Sequence, residues 1–169
     1  WLKPETRRAM VLTEGRPSKE HSRDSLVNHG FEIRKVAGKG RTVVATRAFA
    51  CGDVILEESP LLVCHALEDL GAQWSENARA YREASKEIRE KILQLLPEGF
   101  EEDHRLSRLA TAVAGCVSDV TVSKEDMRRA LLAFHLTSYE LEGPEDLVGL
   151  FQTVSKFSHS CVPNAKGAL

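Results

Sequence analysis

The spacing of apolar residues changes along the chain, and the first regular stretch has the pattern of β-strands. From residue 31 onward, β-branched runs alternate with glycines in FEIRKVAGKGRTVVATRAFACGDVILEESPLLV. Phe31 and Ile33 predict one strand, and Val43 and Val44 predict a second. AGKGR predicts the tight turn between them, and CGD predicts another turn.

A further strand is predicted after the CGD turn. The apolar run at residues 54–56 has strand character, and Pro60 ends or bends that strand. Residues 1–30 are polar and lack periodicity, which predicts an extension ahead of the folded part.

From about residue 66 the apolar residues recur at intervals of three and four, which predicts helices. The first helix is expected to end at Pro97 and Gly99, and its apolar face holds Tyr81, Ala84, Ile88, Ile92 and Leu95. A second helical pattern follows at Leu106, Leu109, Ala110 and Val113. Ser123 with Asp126 has the pattern of an N-terminal cap for a third helix.

The end of the chain returns to mixed structure. SYEL, at residues 138–141, predicts a short strand. Pro144 predicts the start of a last helix, whose apolar residues would be Leu147, Leu150, Phe151 and Val154. Strands followed by a block of helices indicate the α+β class and not alternating βαβ units.

This order predicts two regions. Residues 1–30 form the polar extension, and residues 31–169 form one domain. Within the domain, residues 31–65 are the N-terminal β part, residues 66–136 a helical insertion, and residues 137–169 a returning strand, a helix and a polar motif.

Composition and charge exclude several functional classes. The chain has 169 residues, 42% hydrophobic and 28% charged, with a net charge of −2, which is ordinary for a globular protein. That balance provides no field for holding nucleic acid or an anionic membrane. No apolar run approaches the ~20 residues that span a bilayer.

The cysteines are scattered and form no CxxC pair. We therefore expect neither a disulfide framework nor a four-ligand zinc site, and the pattern favours a reducing compartment, the nucleus or the cytoplasm. The four cysteines are Cys51, Cys64, Cys116 and Cys161.

Two short segments carry candidate chemistry. AGKGR, residues 37–41, offers backbone amides without bulky side chains, and Lys39 and Arg41 could neutralise a carboxylate. For such a short match, a plain hairpin turn is the favoured interpretation. FSHSCVPNA, residues 157–165, contains His159 and Cys161, which suit zinc but supply only two ligands. A structural role in an irregular loop is the simpler interpretation of that pair.

Taken together, these segments resemble the two signatures of the SET domain of protein-lysine methyltransferases. GKGRTVVATRAFACGDVILEESPLLV resembles the opening of that domain, and FSHSCVPNA resembles its Asn-His-Ser-Cys-x-Pro-Asn signature. The likeness is greatest to the SET-and-MYND group, and it covers residues 31–169. It implies a SET-type β core (β-clip) with a large helical insertion, and methyl transfer from S-adenosylmethionine to a lysine of a protein such as a histone tail.

The resemblance also implies site residues. Ala37, Gly38, Lys39 and Gly40 would wrap the methionine part of the cofactor, and backbone groups of His159 would hold the adenine. Tyr139 and Phe157 would wall the site or its channel. Ser158 and Thr137 stand where the family commonly has asparagine, and Ser158 would reach the cofactor through water.

Other features of the family are missing from this sequence. No MYND zinc module interrupts LLVCHAL, and the segment with the catalytic tyrosine is expected beyond Leu169. We therefore expect no catalytic residue and no activity in this stretch alone. Two alternatives stay open: a non-catalytic SET-like module that binds partners through its helical insertion, and a helical domain with a β-hairpin at its start.

Overall fold

The chain was examined as a computed structural model, which describes residues 30–50, 53–96, 104–117, 121–158 and 165. Its first element is a hairpin in which strand β1 (Phe31–Val36) pairs antiparallel with strand β2 (Gly40–Ala45). The two strands and the turn between them confirm the prediction from the β-branched runs and AGKGR.

A second, three-stranded sheet joins segments from both sides of the helices. Strand β3 (Leu62–His65) precedes the helices, whereas β4 (Ser138–Leu141) and β5 (Leu147–Leu150) follow them. The order is β3-β5-β4 and both pairings are antiparallel. The helical block is therefore an insertion between strands of one sheet.

Four α-helices lie between β3 and β4 in the part of the chain that the structure describes. They are α1 (Leu70–Glu83), α2 (Lys86–Leu93), α3 (His104–Val117) and α4 (Lys124–Thr137). The predicted α+β class is confirmed, as is the cap of α4, where Ser123 Oγ accepts from Asp126 N at 3.0 Å. No helix in these ranges is long and apolar enough to cross a membrane.

The structure corrects three predicted elements. The single helix expected through residues 81–95 is two helices, because Ser85 caps α2 by accepting from Ile88 N at 3.3 Å while Ala84 is extended. Residues 54–56 form no strand, and the regular strand begins only after Pro60.

The prediction of a helix that starts at Pro144 is also wrong. Leu147–Leu150 is strand β5, followed by a 3-10 helix at Val154–Lys156. A short apolar run fits a helix or a strand equally well. Here the two flanking strands β3 and β4 supply hydrogen-bond partners on both edges, so the strand forms.

Helix α4 lies at the centre of the main core. It packs against α1, α2 and α3, and its residues Met127, Leu131, Leu132 and Phe134 are almost fully buried. Burial of these apolar side chains contributes to the stability of the helical block.

A second apolar cluster attaches the hairpin to the three-stranded sheet. Its buried members are Leu56, Phe151 and Val154, and the partly buried Phe31, Tyr139, Leu141 and Phe157 pack against them. We call these seven residues the hairpin cluster.

Candidate functional site

The turn of the hairpin is exposed and bounded by glycines in a left-handed conformation. Gly38 has φ of 73° and Gly40 has φ of 69°, and residues with a side chain rarely adopt this backbone conformation. Lys39 N donates to Val36 O at 3.0 Å and closes the turn. Among the described residues other than the chain neighbours, none places an atom within 4 Å of where a Cβ would stand on either glycine, so a ligand could approach this backbone closely.

The start of the second motif lies against this hairpin. Ser158 Oγ and Thr42 Oγ1 share a hydrogen bond of 2.6 Å across 116 residues of sequence. The Phe157 ring meets the Phe31 ring edge-on, with centroids 6.5 Å apart. The contact runs through Phe31 and Thr42, while His159 and Cys161 lie outside the described residues.

Tyr139 and Phe157 are brought together in the hairpin cluster. Tyr139 Oη donates to Val154 O at 3.3 Å, and its ring packs edge-on against Phe151 at 6.1 Å between centroids. Both predicted wall residues therefore lie where the hairpin packs against the second sheet. We call this contact region, formed by the hairpin cluster and residues 152–158, the seam.

Thr137 is held differently. It is buried at the end of α4, and its hydroxyl donates to Ala133 O of the same helix at 2.8 Å. The side chains of Thr137 and Ser158, which stand where asparagine was expected, are thus both hydrogen-bonded to other groups of the chain, Thr137 in a buried position and Ser158 in an exposed one.

A carboxylate that the sequence did not single out organises this seam. The side chain of Glu58 accepts hydrogen bonds from three consecutive backbone N–H groups, those of Gln152, Thr153 and Val154, at 2.8–3.1 Å. These groups lie at the start of the 3-10 helix that leads to Phe157. No local pattern could reveal the contact, because 94–96 residues separate the partners.

Lys156 is a buried cation in the same seam. Its side chain donates to Ser155 Oγ at 3.0 Å, and only 9% of the residue is exposed. The pKa of Lys156 is lowered to about 8, mainly by burial and secondarily by the nearby Arg41 guanidinium, while the charge of Glu58 partly opposes both. Sequence reasoning missed this residue, since an isolated lysine usually lies in solvent.

The remaining candidate groups do not gather into a site. Cys64 is buried and its thiol donates to Asn77 Oδ1 at 3.3 Å, and burial raises the pKa of this thiol to about 11. Cys64 is therefore a poor nucleophile at neutral pH. Within the described ranges, no three His, Cys, Asp or Glu side chains are placed to hold a metal ion; Cys51 and Cys161 lie outside those ranges.

Two cavities open in the helical block, away from the seam. One of about 140 Å³ lies between α1, α4 and β5, with Trp74 and Phe134 among its walls. The other, of about 230 Å³, lies between α2 and the start of α4, where Tyr81, Arg89 and Asp126 line it.

Comparison with protein-family models, with curated proteins and with solved structures finds no match to this chain. The site must therefore be judged on its own geometry.

Proposed function

We propose that the chain forms the SET-type core of a protein-lysine methyltransferase and binds the S-adenosylmethionine from which a methyl group is transferred to a lysine amine of a protein substrate. One observation carries the proposal: the start of the FSHSCVPNA motif lies on the hairpin that bears GKGR, through the Thr42–Ser158 hydrogen bond of 2.6 Å. Two motifs of one cofactor site must meet in this way despite their separation in sequence.

The open space around Gly38 and Gly40 also supports the proposal. In it, residues Ala37, Gly38, Lys39 and Gly40 bind the methionine part of the cofactor through backbone groups. Backbone groups of His159 would hold the adenine, as the resemblance to the SET signature implies. Tyr139 and Phe157 form the apolar wall beneath.

Methyl transfer to a lysine depends more on positioning the amine and the methyl group than on reactive side chains. The neutral lysine amine attacks the methyl carbon in line with the methyl–sulfur bond, that bond breaks, and the sulfur leaves as S-adenosylhomocysteine. The amine then loses a proton to water. Alignment of this kind can supply about 7–11 kcal/mol in favourable cases, which a rigid seam between two packed segments would help to provide.

A second candidate is a non-catalytic module that binds a protein partner through the helical block. The observation in its favour is that the hydroxyls of Thr137 and Ser158 are both hydrogen-bonded to other groups of the chain. In this case the cavity of about 230 Å³ beside Tyr81 would be the partner site.

Calorimetry with S-adenosylhomocysteine separates the two candidates. We expect saturable one-to-one binding by the chain. The Gly38→Val variant should bind at least about tenfold more weakly, because a branched side chain is strained at positive φ and fills the open space.

The matched control is Gly143→Ala, at an exposed glycine without positive φ or close neighbours. It should bind like the parent, and circular dichroism should show that both variants keep the fold. Absence of binding by the folded parent chain would rule out the methyltransferase proposal and favour the partner-binding module.

A further inference from the structure

Lys156 has unsatisfied hydrogen-bonding capacity in a buried position. An ammonium group carries three donors, and one of them is used, toward Ser155 Oγ. With 91% of the residue out of solvent, water cannot freely satisfy the others. A buried cation in this condition is costly unless an anion or several acceptors compensate for its lost hydration.

No acidic side chain in the described part of the chain forms an ion pair with Lys156. Glu58, whose charge partly opposes the lowering of the Lys156 pKa, already accepts from three backbone N–H groups. The other charge acting on Lys156 is Arg41, which has the same sign.

Arg41 is itself without an acidic partner among those ion pairs. Its guanidinium donates to the backbone oxygen of Gln94, which carries no charge. It adjoins Thr42 in sequence, whereas Lys156 lies two residues before Ser158, and Thr42 and Ser158 are hydrogen-bonded to each other. Arg41 and Lys156 therefore both lie close to the Thr42–Ser158 contact, at which β2 meets the residues that follow the 3-10 helix.

We propose that Lys156 and Arg41 form a binding site for the oxyanion of a small molecule, a carboxylate or a phosphate group. A bound oxyanion would accept from the free donors of Lys156 and from the guanidinium. It would also replace the repulsion between the two cations by attraction to each. Burial is the main cause of the lowered pKa of Lys156, and a bound oxyanion would raise that pKa.

The site does not depend on the proposed methyl transfer. The oxyanion could be the carboxylate on the amino-acid part of the cofactor, or a free anion such as phosphate. The chemistry of recognition is shared, and the experiment distinguishes the two sources.

The first arm titrates sodium phosphate and sodium acetate into the chain at constant ionic strength, and follows the side-chain NMR resonance of Lys156. We expect a saturable shift and a rise of its pKa from about 8 toward the usual lysine value. Arg41→Gln should weaken binding about tenfold, as loss of one charge-assisted contact would. Lys86→Met, at an exposed lysine of α2, should leave it unchanged.

The second arm compares S-adenosylhomocysteine with 5′-methylthioadenosine, which lacks the carboxylate. If Lys156→Gln weakens only the first ligand, the site takes the cofactor carboxylate. Phosphate binding with no effect of Lys156→Gln on either nucleoside assigns the site to a free anion.

Binding of phosphate or acetate would support the anion site even if neither nucleoside binds. That result would contradict the proposed function and leave the anion site unaffected. No saturable shift of the Lys156 resonance with any of the four ligands, in chain that is folded by circular dichroism, would overturn it.

Discussion

Single side chains at the seam between hairpin and sheet show how strongly burial alters ordinary chemistry. Lys156 is removed from water without a carboxylate bonded to its ammonium, so its neutral form is favoured more than in solution. Burial also disfavours the charged form of Cys64, which is the thiolate, and it therefore raises the pKa of Cys64. Residue type alone predicts neither.

The pKa of Lys156 fixes the sign of a pH effect on stability. The folded pKa of about 8 lies below the usual 10.5, so the unfolded chain binds the proton more tightly. The resulting destabilisation is absent above pH 10.5. It grows as pH falls from 10.5 to about 8, and is constant below that.

We therefore expect Lys156→Met to raise the free energy of unfolding by about 1–3 kcal/mol below pH 8, since methionine keeps the apolar stem and removes the charge. The gain should vanish as pH approaches 10.5. Urea denaturation at pH 7, 9 and 10.5, without phosphate, measures it.

The control is Lys86→Met, whose side chain is 85% exposed. It should change stability by less than about 0.5 kcal/mol at every pH. A loss of stability in Lys156→Met at pH 7 would mean that the buried ammonium has a compensating partner.

At the scale of elements, the structure depends on groups that reach between segments far apart in sequence. Glu58, in the irregular stretch before β3, holds the backbone that enters the 3-10 helix. The carboxylate takes the place of the side-chain cap that this short helix lacks. Phe157 and Ser158 follow directly, so Glu58 sets where the second motif begins.

Glu58→Gln should lower the free energy of unfolding by about 1.5–3 kcal/mol, because the amide loses the charge and cannot accept from three N–H groups at once. Thermal or urea denaturation would measure the loss. Amide exchange at residues 152–154 should also accelerate more than exchange in α4.

The neighbouring Glu57 provides the matched control, since it is exposed. Glu57→Gln should leave both stability and exchange near the parent values. Equal effects of the two substitutions would show that net charge, and not the hydrogen bonds of Glu58, is responsible.

At the scale of the whole molecule, the helical block and the hairpin are tied to one three-stranded sheet by different means. The helices leave from β3 and return through β4 and β5, and their core forms around α4. The hairpin β1–β2 pairs with no strand of that sheet. It is attached through the hairpin cluster and the Thr42–Ser158 bond.

Phe151 is fully buried at the centre of the hairpin cluster. We expect Phe151→Ala to cost about 3–5 kcal/mol, the usual range for a buried aromatic side chain. Amide exchange in β1 and β2 should accelerate before exchange in the helical core, because the cluster attaches the hairpin.

Ile33→Ala serves for comparison, since Ile33 lies in β1 but is 46% exposed. Its effect should be below about 1 kcal/mol. Uniform acceleration of exchange across α4 and the hairpin in Phe151→Ala would show one cooperative unit instead of an attached hairpin.

What the sequence by itself determined is the part that depends on local interactions. The β-branched runs around AGKGR predicted the hairpin, period-three and period-four spacing predicted helices, and Ser123 predicted the cap of α4. Each signal acts within a few residues, so it can be recognised before the chain is folded.

Tertiary structure decided the elements and site features that need distant partners. Leu147–Leu150 became a strand because β3 and β4 flank it, and a helix would have left both without that partner. The contacts of Glu58 with residues 152–154 and of Thr42 with Ser158 span about a hundred residues. The burial of Lys156 has the same origin. These features depend on which surfaces pack together, and no short stretch of sequence contains that information.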